Sequence, residues 1–218
     1  MAKRFELLVF DWDGTLMDSA AAIIASIQES CRDLGLPVPE RERAAHVIGL
    51  GLKDALSYAV PELPVQDYGK LAERYRYHYL SRDPDIELFP GVREMLLALK
   101  ERGYLLAVAT GKSRIGLNRV LEATQLKAYF DSSRCADETH SKPHPAMLQE
   151  LMAELVIEPE ATLMIGDTGH DLQMAASANV AALAVCYGAH PKDSLAGFGP
   201  IACIDTPQEL ASWLADNA

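Results

Sequence analysis

Residues 5–16 read FELLVFDWDGTL. The segment opens with an apolar run and then changes abruptly to acids and a glycine, at Asp11, Asp13 and Gly14. A short apolar run that stops in this way is typical of a fully buried strand in a parallel sheet. Ligands of open α/β sheets bind just beyond the carboxyl ends of the strands. The sequence therefore predicts that this strand delivers two carboxylates to a binding site.

The two carboxylates form a pair that packing alone does not explain. Side chains alternate along a strand, so Asp11 and Asp13 are expected to point the same way and Trp12 the opposite way. Like charges held side by side repel, and a cation or a shared proton must relieve them. This pattern predicts a functional pair.

The composition is that of a soluble globular protein. The chain has 218 residues, of which 49% are hydrophobic and 23% charged, enough for one large domain or two small ones. The net charge of -11 argues against a nucleic-acid partner or an anionic membrane surface. The four cysteines include no CxxC pair, and no signal peptide or long apolar run is recognisable. We therefore expect reduced thiols and a cytoplasmic location.

The order of helical and strand patterns predicts the architecture. Residues 17–87 carry helical spacing without a strand signal, and strands alternate with helices from residue 88 onward. We predict an α/β fold, a doubly wound parallel sheet with a Rossmann-like core formed by residues 1–16 and 88–218. Residues 17–87 are predicted to be a small all-helical cap domain inserted after the first strand. Both of its linkers would lie beside the acidic pair, where the cap is placed to open and close.

Further polar groups follow the later strands, at Thr110, Lys142, Asp167 and Asp171. Carboxylate oxygens are hard ligands and suit Mg²⁺. A hydroxyl and backbone N–H groups at a helix start suit a phosphate oxygen, and a lysine adds positive charge. A carboxylate nucleophile beside a metal predicts phosphoryl transfer through an aspartyl-phosphate.

These residues fall into four motifs, in order along nearly the whole chain, that resemble those of the haloacid dehalogenase superfamily. Within it, the chain resembles the phosphoglycolate phosphatase-like group, which has a helical cap in this position. The motifs are Asp11-x-Asp13-Gly14-Thr15-Leu16, Thr110-Gly111-Lys112, Lys142-Pro143 and Gly166-Asp167-x-x-x-Asp171.

The resemblance implies a role for each member of the acidic pair. Asp11 would be the nucleophile that attacks phosphorus. Asp13 would protonate the leaving oxygen and later deprotonate the water that hydrolyses the aspartyl-phosphate. Its backbone carbonyl would also bind Mg²⁺.

The resemblance also implies the remaining parts of the site. Asp167 would be the second side-chain ligand of the metal, and Asp171 would support it or a bound water. Thr110, Gly111 and Lys142 would hold and neutralise the phosphoryl group.

Several residues have alternative interpretations. Lys53, or His46, is hypothesised to meet the non-phosphate end of a small anionic substrate. Lys112 either contacts substrate or only solvates the start of a helix. His170 is expected to form hydrogen bonds or to face solvent, without a catalytic role.

Two further residue types are assigned structural roles. Ser19 is predicted to act in helix capping or as part of the hinge. The tyrosines at helical spacing, Tyr68, Tyr75 and Tyr79, are predicted to be core residues.

The sequence predicts a Mg²⁺-dependent phosphomonoester hydrolase that acts on a small phosphorylated metabolite, with phosphoglycolate as one candidate. We expect a monomer or a homodimer with no nucleic-acid or membrane partner. Two alternatives stay open. A phosphomutase could use the same scaffold if it excluded water, and a non-hydrolytic phospho-acceptor module would keep the phosphoryl group on Asp11.

Overall fold

The computed structural model describes residues 3–218, so the predicted core segment 1–16 begins two residues before the described part. One parallel sheet has the strand order β3-β2-β1-β4-β5-β6. Its strands are Leu7–Phe10 (β1), Leu105–Thr110 (β2), Ser132–Cys135 (β3), Thr162–Gly166 (β4), Ala181–Val185 (β5) and Cys203–Ile204 (β6).

Helices fill the segments between the strands. They are Ala20–Asp33 (α1), Arg41–His46 (α2), Leu52–Ala59 (α3), Tyr68–Arg82 (α4), Val92–Glu101 (α5), Arg114–Ala123 (α6), Ala146–Leu155 (α7), Gly169–Ser177 (α8), Lys192–Ala196 (α9) and Pro207–Asn217 (α10). Short 3-10 helices cover Val65–Asp67, Asp83–Asp85, Lys127–Tyr129 and Pro159–Ala161. The strand order is that of a doubly wound fold, so the predicted fold class is confirmed.

Strand β1 lies in the middle of the sheet, between β2 and β4. All four of its residues are fully buried. Because side chains alternate along a strand, Leu8 and Phe10 enter the core shared with α5, α6 and α10, while Leu7 and Val9 enter the core shared with α7 and α8. Layers on both faces explain why this strand is apolar at every position.

Residues 17–87, called the helical insertion below, carry helices α1 to α4 and an apolar core of their own. That core includes Ile27, Leu56 and Leu71. The two connections to the sheet run side by side, since Met17 forms isolated bridges with both Asp13 and Leu88. This arrangement agrees with a separate cap domain, whose boundaries stay a prediction.

Local differences from the sequence prediction are small. Within the predicted helical segment, residues 41–59 form two helices, α2 and α3, which are separated at Gly49, whose φ is +91°. The short helix α9 was not predicted, because five residues carry too little periodicity. Across residues 3–218, every helix is too short or too polar to traverse a lipid bilayer.

Replacing Leu8 with alanine tests the central position of β1. The side chain is fully buried in the sheet, so its loss should lower the free energy of unfolding by about 2–5 kcal/mol in chemical denaturation. Leu97→Ala is the matched control, because Leu97 on α5 is 45% exposed, and it should change stability by less than about 0.5 kcal/mol. Equal losses in the two variants would contradict the described packing.

Candidate active site

Three carboxylates meet at the carboxyl edge of the sheet. Asp11 follows β1 and Asp167 follows the neighbouring strand β4, while Asp171 lies in the first turn of α8. All three are fully buried, and one oxygen of each lies within 4.8 Å of the others. A cluster with only oxygen donors fits a hard divalent cation. The structure thus brings together three of the four residues predicted to bind metal.

Lys142 lies among these carboxylates. Its Nζ is 2.8 Å from Oδ1 of Asp11 and 2.6 Å from Oδ1 of Asp171. Burial alone would lower the pKa of Lys142, but the charges of the two carboxylates outweigh it and raise that pKa above its ordinary value. The lysine is therefore a fixed positive charge inside the site.

The two oxygens of Asp11 have different surroundings. Oδ1 accepts a hydrogen bond of 2.6 Å from the N–H of Trp12 and also faces Lys142. Oδ2 is buried and has no hydrogen-bond partner among residues 3–218. Burial, together with Asp171 and Asp167, raises the pKa of Asp11 well above its ordinary value despite Lys142. A bound cation would favour the ionised form of this carboxylate.

Asp167 is oriented by two donors. The hydroxyl of Thr15 donates to Oδ1 at 2.9 Å, and the N–H of Ala189 donates to Oδ2 at 2.7 Å. Burial and the charge of Asp171 raise the pKa of Asp167 to about 7. Gly14 packs so closely here that a Cβ atom would overlap the carboxylate, and its φ is +80°. Glycine at this position therefore allows the β1 loop to reach Asp167.

Asp171 has a structural partner as well as Lys142. Its Oδ2 accepts hydrogen bonds from the N–H of Thr168 at 3.1 Å and from the hydroxyl of Thr168 at 2.6 Å. Together with the bond from the N–H of Asp171 back to the Thr168 hydroxyl, these form a capping box at the start of α8. Protein groups therefore engage both oxygens of Asp171, in contrast to Oδ2 of Asp11.

The carboxylate of Asp13 lies outside the three-carboxylate cluster. Its Oδ1 accepts a hydrogen bond of 2.6 Å from the hydroxyl of Ser19 and forms an ion pair of 2.9 Å with Nζ of Lys112. Lys112 also donates to the hydroxyl of Tyr79, at 2.9 Å. The side chain of Lys112 is only 9% exposed, so the structure excludes a purely solvating role for this lysine.

One structural assignment is wrong and another is confirmed with an added contact. The hydroxyl of Ser19 does not cap α1, because it is bonded to Asp13 instead. Tyr79 is buried as predicted, yet its hydroxyl reaches the site from α4 through Lys112. Helical periodicity reports only that a residue faces inward, so it could not distinguish a core tyrosine from one that contacts a charged group.

Thr110 is the last residue of β2, which neighbours β1, and Gly111 follows it. The Thr110 side chain is fully buried, and its hydroxyl accepts a hydrogen bond of 3.2 Å from the N–H of Lys112. A Cβ atom on Gly111 would overlap the carbonyl oxygens of Gly49 and Leu50. Gly111 thus allows the main chain of the helical insertion to approach the main chain of the sheet.

Residues 47–51, called the insertion turn below, lie directly over the site. A Cβ atom on Gly49 would be 3.8 Å from Oδ2 of Asp11, and the N–H of Gly51 donates to the hydroxyl of Ser141 at 2.8 Å. With this turn in place, Asp11, Asp167 and Lys142 are inaccessible to solvent or nearly so.

Lys53 and His46, the residues hypothesised to contact the non-phosphate end of the substrate, lie in different surroundings. Lys53 is exposed on α3 and forms no ion pair within residues 3–218, so the structure does not bring it into contact with the other site residues. The ring of His46 stacks on that of His190, with centroids 5.2 Å apart. A substrate contact by either residue stays a prediction.

Sequence reasoning missed several residues that support the site. Each belongs to a loop or to another element, and only Thr15 lies in one of the four motifs. They are Thr15, Tyr79, Ser141, Ala189 and His190.

Comparison with known proteins places the chain in a family. A family model described as haloacid dehalogenase-like hydrolase matches residues 8–185. The chain belongs to the haloacid dehalogenase-like hydrolase family. The expected resemblance is thereby confirmed, and the protein is classified as a hydrolase of this enzyme family.

Relatives within the family carry phosphatase names. The chain is 39% identical over 210 residues to the probable phosphatase IndB of Dickeya dadantii, covering 94% of this chain and 91% of the relative. It is 31% identical over 216 residues to a phosphoglycolate phosphatase of Colwellia psychrerythraea, covering 94% and 95%. Among solved structures, a predicted phosphoglycolate phosphatase from Haemophilus somnus aligns over 100% of both chains, with a TM-score of 0.86 and 27% identity.

The raised pKa of Asp167 predicts a pH-dependent stability for the metal-free protein. The folded state holds this proton more tightly than the unfolded chain, whose carboxyl pKa is about 3.9. The free energy of unfolding should therefore fall as pH rises from about 4 to about 7, by at most about 1.4 kcal/mol per pH unit for this one group. Chemical denaturation at a series of pH values, in the presence of a chelator, measures this slope.

The Asp167→Asn variant should show a shallower slope, and Mg²⁺ should flatten the slope of the unsubstituted protein by favouring the ionised carboxylates. Asp54→Asn is the control, because Asp54 is exposed on α3. A free energy of unfolding that rises with pH over the same range would contradict the burial described for Asp167.

Proposed function

We propose that this chain is a Mg²⁺-dependent phosphomonoester hydrolase that works through an aspartyl-phosphate on Asp11. The observation that carries the proposal is Oδ2 of Asp11, a buried carboxylate oxygen with no partner within residues 3–218, next to a fixed lysine charge. An oxygen with unengaged lone pairs is what a nucleophile requires. The phosphatase names of the relatives support the same reaction class.

In the first step, Oδ2 of Asp11 attacks phosphorus and the bond from phosphorus to the leaving oxygen breaks. Asp13 donates a proton to that oxygen, which departs as an alcohol. Ser19 and Lys112 hold the Asp13 carboxylate in place from two sides. Lys142 balances the charge of the phosphoryl group, and Thr110 with the neighbouring N–H groups binds its oxygens.

In the second step, water attacks the phosphorus of the aspartyl-phosphate. Asp13, now ionised, accepts a proton from that water, and the bond between phosphorus and Oδ2 of Asp11 breaks. Phosphate is released and both carboxylates return to their starting forms. One carboxylate thus acts first as an acid and then as a base, which requires that it stay fixed beside the reacting atoms.

The cluster of Asp11, Asp167 and Asp171 fits the metal that the family implies, because its three buried carboxylates exceed the single positive charge of Lys142. Asp11 and Asp167 would bind the ion through their side chains and Asp13 through its backbone carbonyl. Asp171 would support them, because protein groups already engage both of its oxygens. A bound Mg²⁺ would neutralise charge on the phosphoryl group and orient it toward Asp11.

The burial of the site implies that the helical insertion is a cap that moves. A substrate reaches Asp11 only if the insertion turn leaves its position over the carboxylate. The adjacent linkers at residues 17 and 88 are placed to act as the hinge. Phosphoglycolate is the first candidate substrate because relatives are named for it.

Phosphate release from a panel of small phosphomonoesters, with Mg²⁺ or with a chelator, tests the proposal. We expect release that needs the metal and is fastest on a phosphorylated acid of two or three carbons. The Asp11→Asn variant is the matched control for contaminating phosphatases and should release no phosphate. Release mainly from sugar phosphates or nucleotides would keep the mechanism and change the substrate.

Absence of release from every ester would contradict hydrolysis. If a phosphoryl group still appeared on Asp11 by mass spectrometry, the phosphomutase and phospho-acceptor alternatives would take its place. A phosphomutase would interconvert two phosphorylated isomers of one substrate, whereas a phospho-acceptor would keep the phosphoryl group without transferring it.

The role of Asp13 is tested by the Asp13→Asn variant. Loss of a general acid and base should lower kcat by about 10²- to 10⁴-fold, while the affinity for Mg²⁺, measured by calorimetry, should be retained because the backbone carbonyl remains. Asp18→Asn provides the control, since Asp18 is exposed a few residues away. Turnover near that of the unsubstituted enzyme would refute the acid and base assignment.

A further inference from the structure

We propose that His170 and His190 are positioning residues that hold the helical insertion over the active site by donating hydrogen bonds to the main-chain carbonyl of His46. Nε2 of His170 is 2.7 Å from this oxygen and Nε2 of His190 is 3.1 Å from it. These two hydrogen bonds do not depend on the proposed function.

The acceptor is a carbonyl that its own helix leaves free. His46 is the last residue of α2, and the carbonyls of the last helical turn have no partner within the helix. Both donors come from the other side of the boundary, His170 from α8 and His190 from the loop after β5. The bonds therefore connect the insertion to the sheet domain rather than stabilising either one alone.

The protonation of both rings follows from their partners. A carbonyl oxygen only accepts, so each Nε2 must carry a proton. Nδ1 of His190 accepts a hydrogen bond of 3.1 Å from the N–H of Gly169, so that ring is neutral and both of its nitrogens are used. Burial lowers the pKa of His190 to about 4, which keeps the ring neutral near pH 7.

The same three histidines have the composition of a transition-metal site, since one nitrogen of each lies within 4.8 Å of the others. Two observations favour the hydrogen-bonded arrangement. Both Nε2 atoms already direct protons at an oxygen, and the rings of His46 and His190 are nearly parallel, with 9° between their planes. A metal would have to displace the carbonyl from between the two donors.

The position of the carbonyl determines the position of the insertion turn. Residues 47–51 follow His46 directly and pass over Oδ2 of Asp11, with Gly49 next to the hydroxyl of Thr168. His170 lies in the first turn of α8, directly before Asp171 and three residues after Asp167, so the segment that carries these two carboxylates also carries the donor. The two histidines thereby set the height of the turn above the nucleophile.

Hydrogen–deuterium exchange of the full chain, without substrate, measures the hold. Each neutral hydrogen bond that is lost should weaken closure about 2- to 10-fold, and exchange in residues 47–51 should accelerate by that factor in His170→Phe and in His190→Phe. Exchange in residues 47–51 should be faster in the variant that carries both substitutions than in either single variant. Exchange in β1 should not change, whereas a merely structural role would accelerate both segments.

Conservative variants separate the hydrogen bond from side-chain packing. His170→Gln and His190→Gln keep an N–H donor and should restore slow exchange of the turn. His140→Phe is the matched control, because His140 is an exposed histidine on the sheet domain. If His190→Phe unfolds because the hydrogen bond from Gly169 is lost, the test rests on His170→Phe. The ring of His170 forms no second hydrogen bond within residues 3–218.

His46→Ala distinguishes the carbonyl from the ring. This variant keeps the main-chain oxygen, so its turn should exchange far more slowly than that of the double variant. Turn exchange at the unsubstituted rate in both Phe variants would overturn the proposal. So would equimolar Zn²⁺ binding under saturating Mg²⁺ that is lost in His46→Ala, because it would establish a metal site instead. None of these measurements needs phosphatase activity, so failure of the hold and failure of the proposed function remain distinguishable.

Discussion

One buried ammonium group offsets part of the negative charge on which the site depends. Lys142 pairs with Asp11 and Asp171 in a region from which water is excluded. Burying unpaired charge is costly, and three carboxylates near one lysine leave an excess of negative charge. A divalent cation relieves that excess, so metal binding and the stability of this edge of the sheet are two aspects of the same electrostatic constraint.

The second constraint is how closely the main chain approaches the carboxylates. Gly14 lies against Asp167, and Gly111 lies against the carbonyls of the insertion turn, in both cases at a distance that a Cβ atom would forbid. The insertion turn therefore meets the site through main-chain groups. The charged residue nearest in sequence to the turn, Lys53, is exposed on α3.

Much of the site can be predicted from the order of residues along the chain. Parallel strands end at one edge of the sheet, so acids that follow two buried strands must converge there, as Asp11 and Asp167 do. The hydrogen bonds that orient the site residues cannot be predicted in the same way. The position of Ser19 predicts capping or a hinge role and the spacing of Tyr79 predicts a core residue, because a local pattern indicates burial and helical position but not the distant partner of a side chain.

The amino-acid sequence alone specified the doubly wound sheet, the helical segment inserted after the first strand and the acids at the strand ends, since apolar periodicity and strand direction are local properties. Only the tertiary structure decided that Lys112 bridges Asp13 and Tyr79, and that His170 and His190 share one carbonyl of the insertion. Those contacts join residues 33 to 144 positions apart, and contacts over such separations depend on packing that no local pattern encodes.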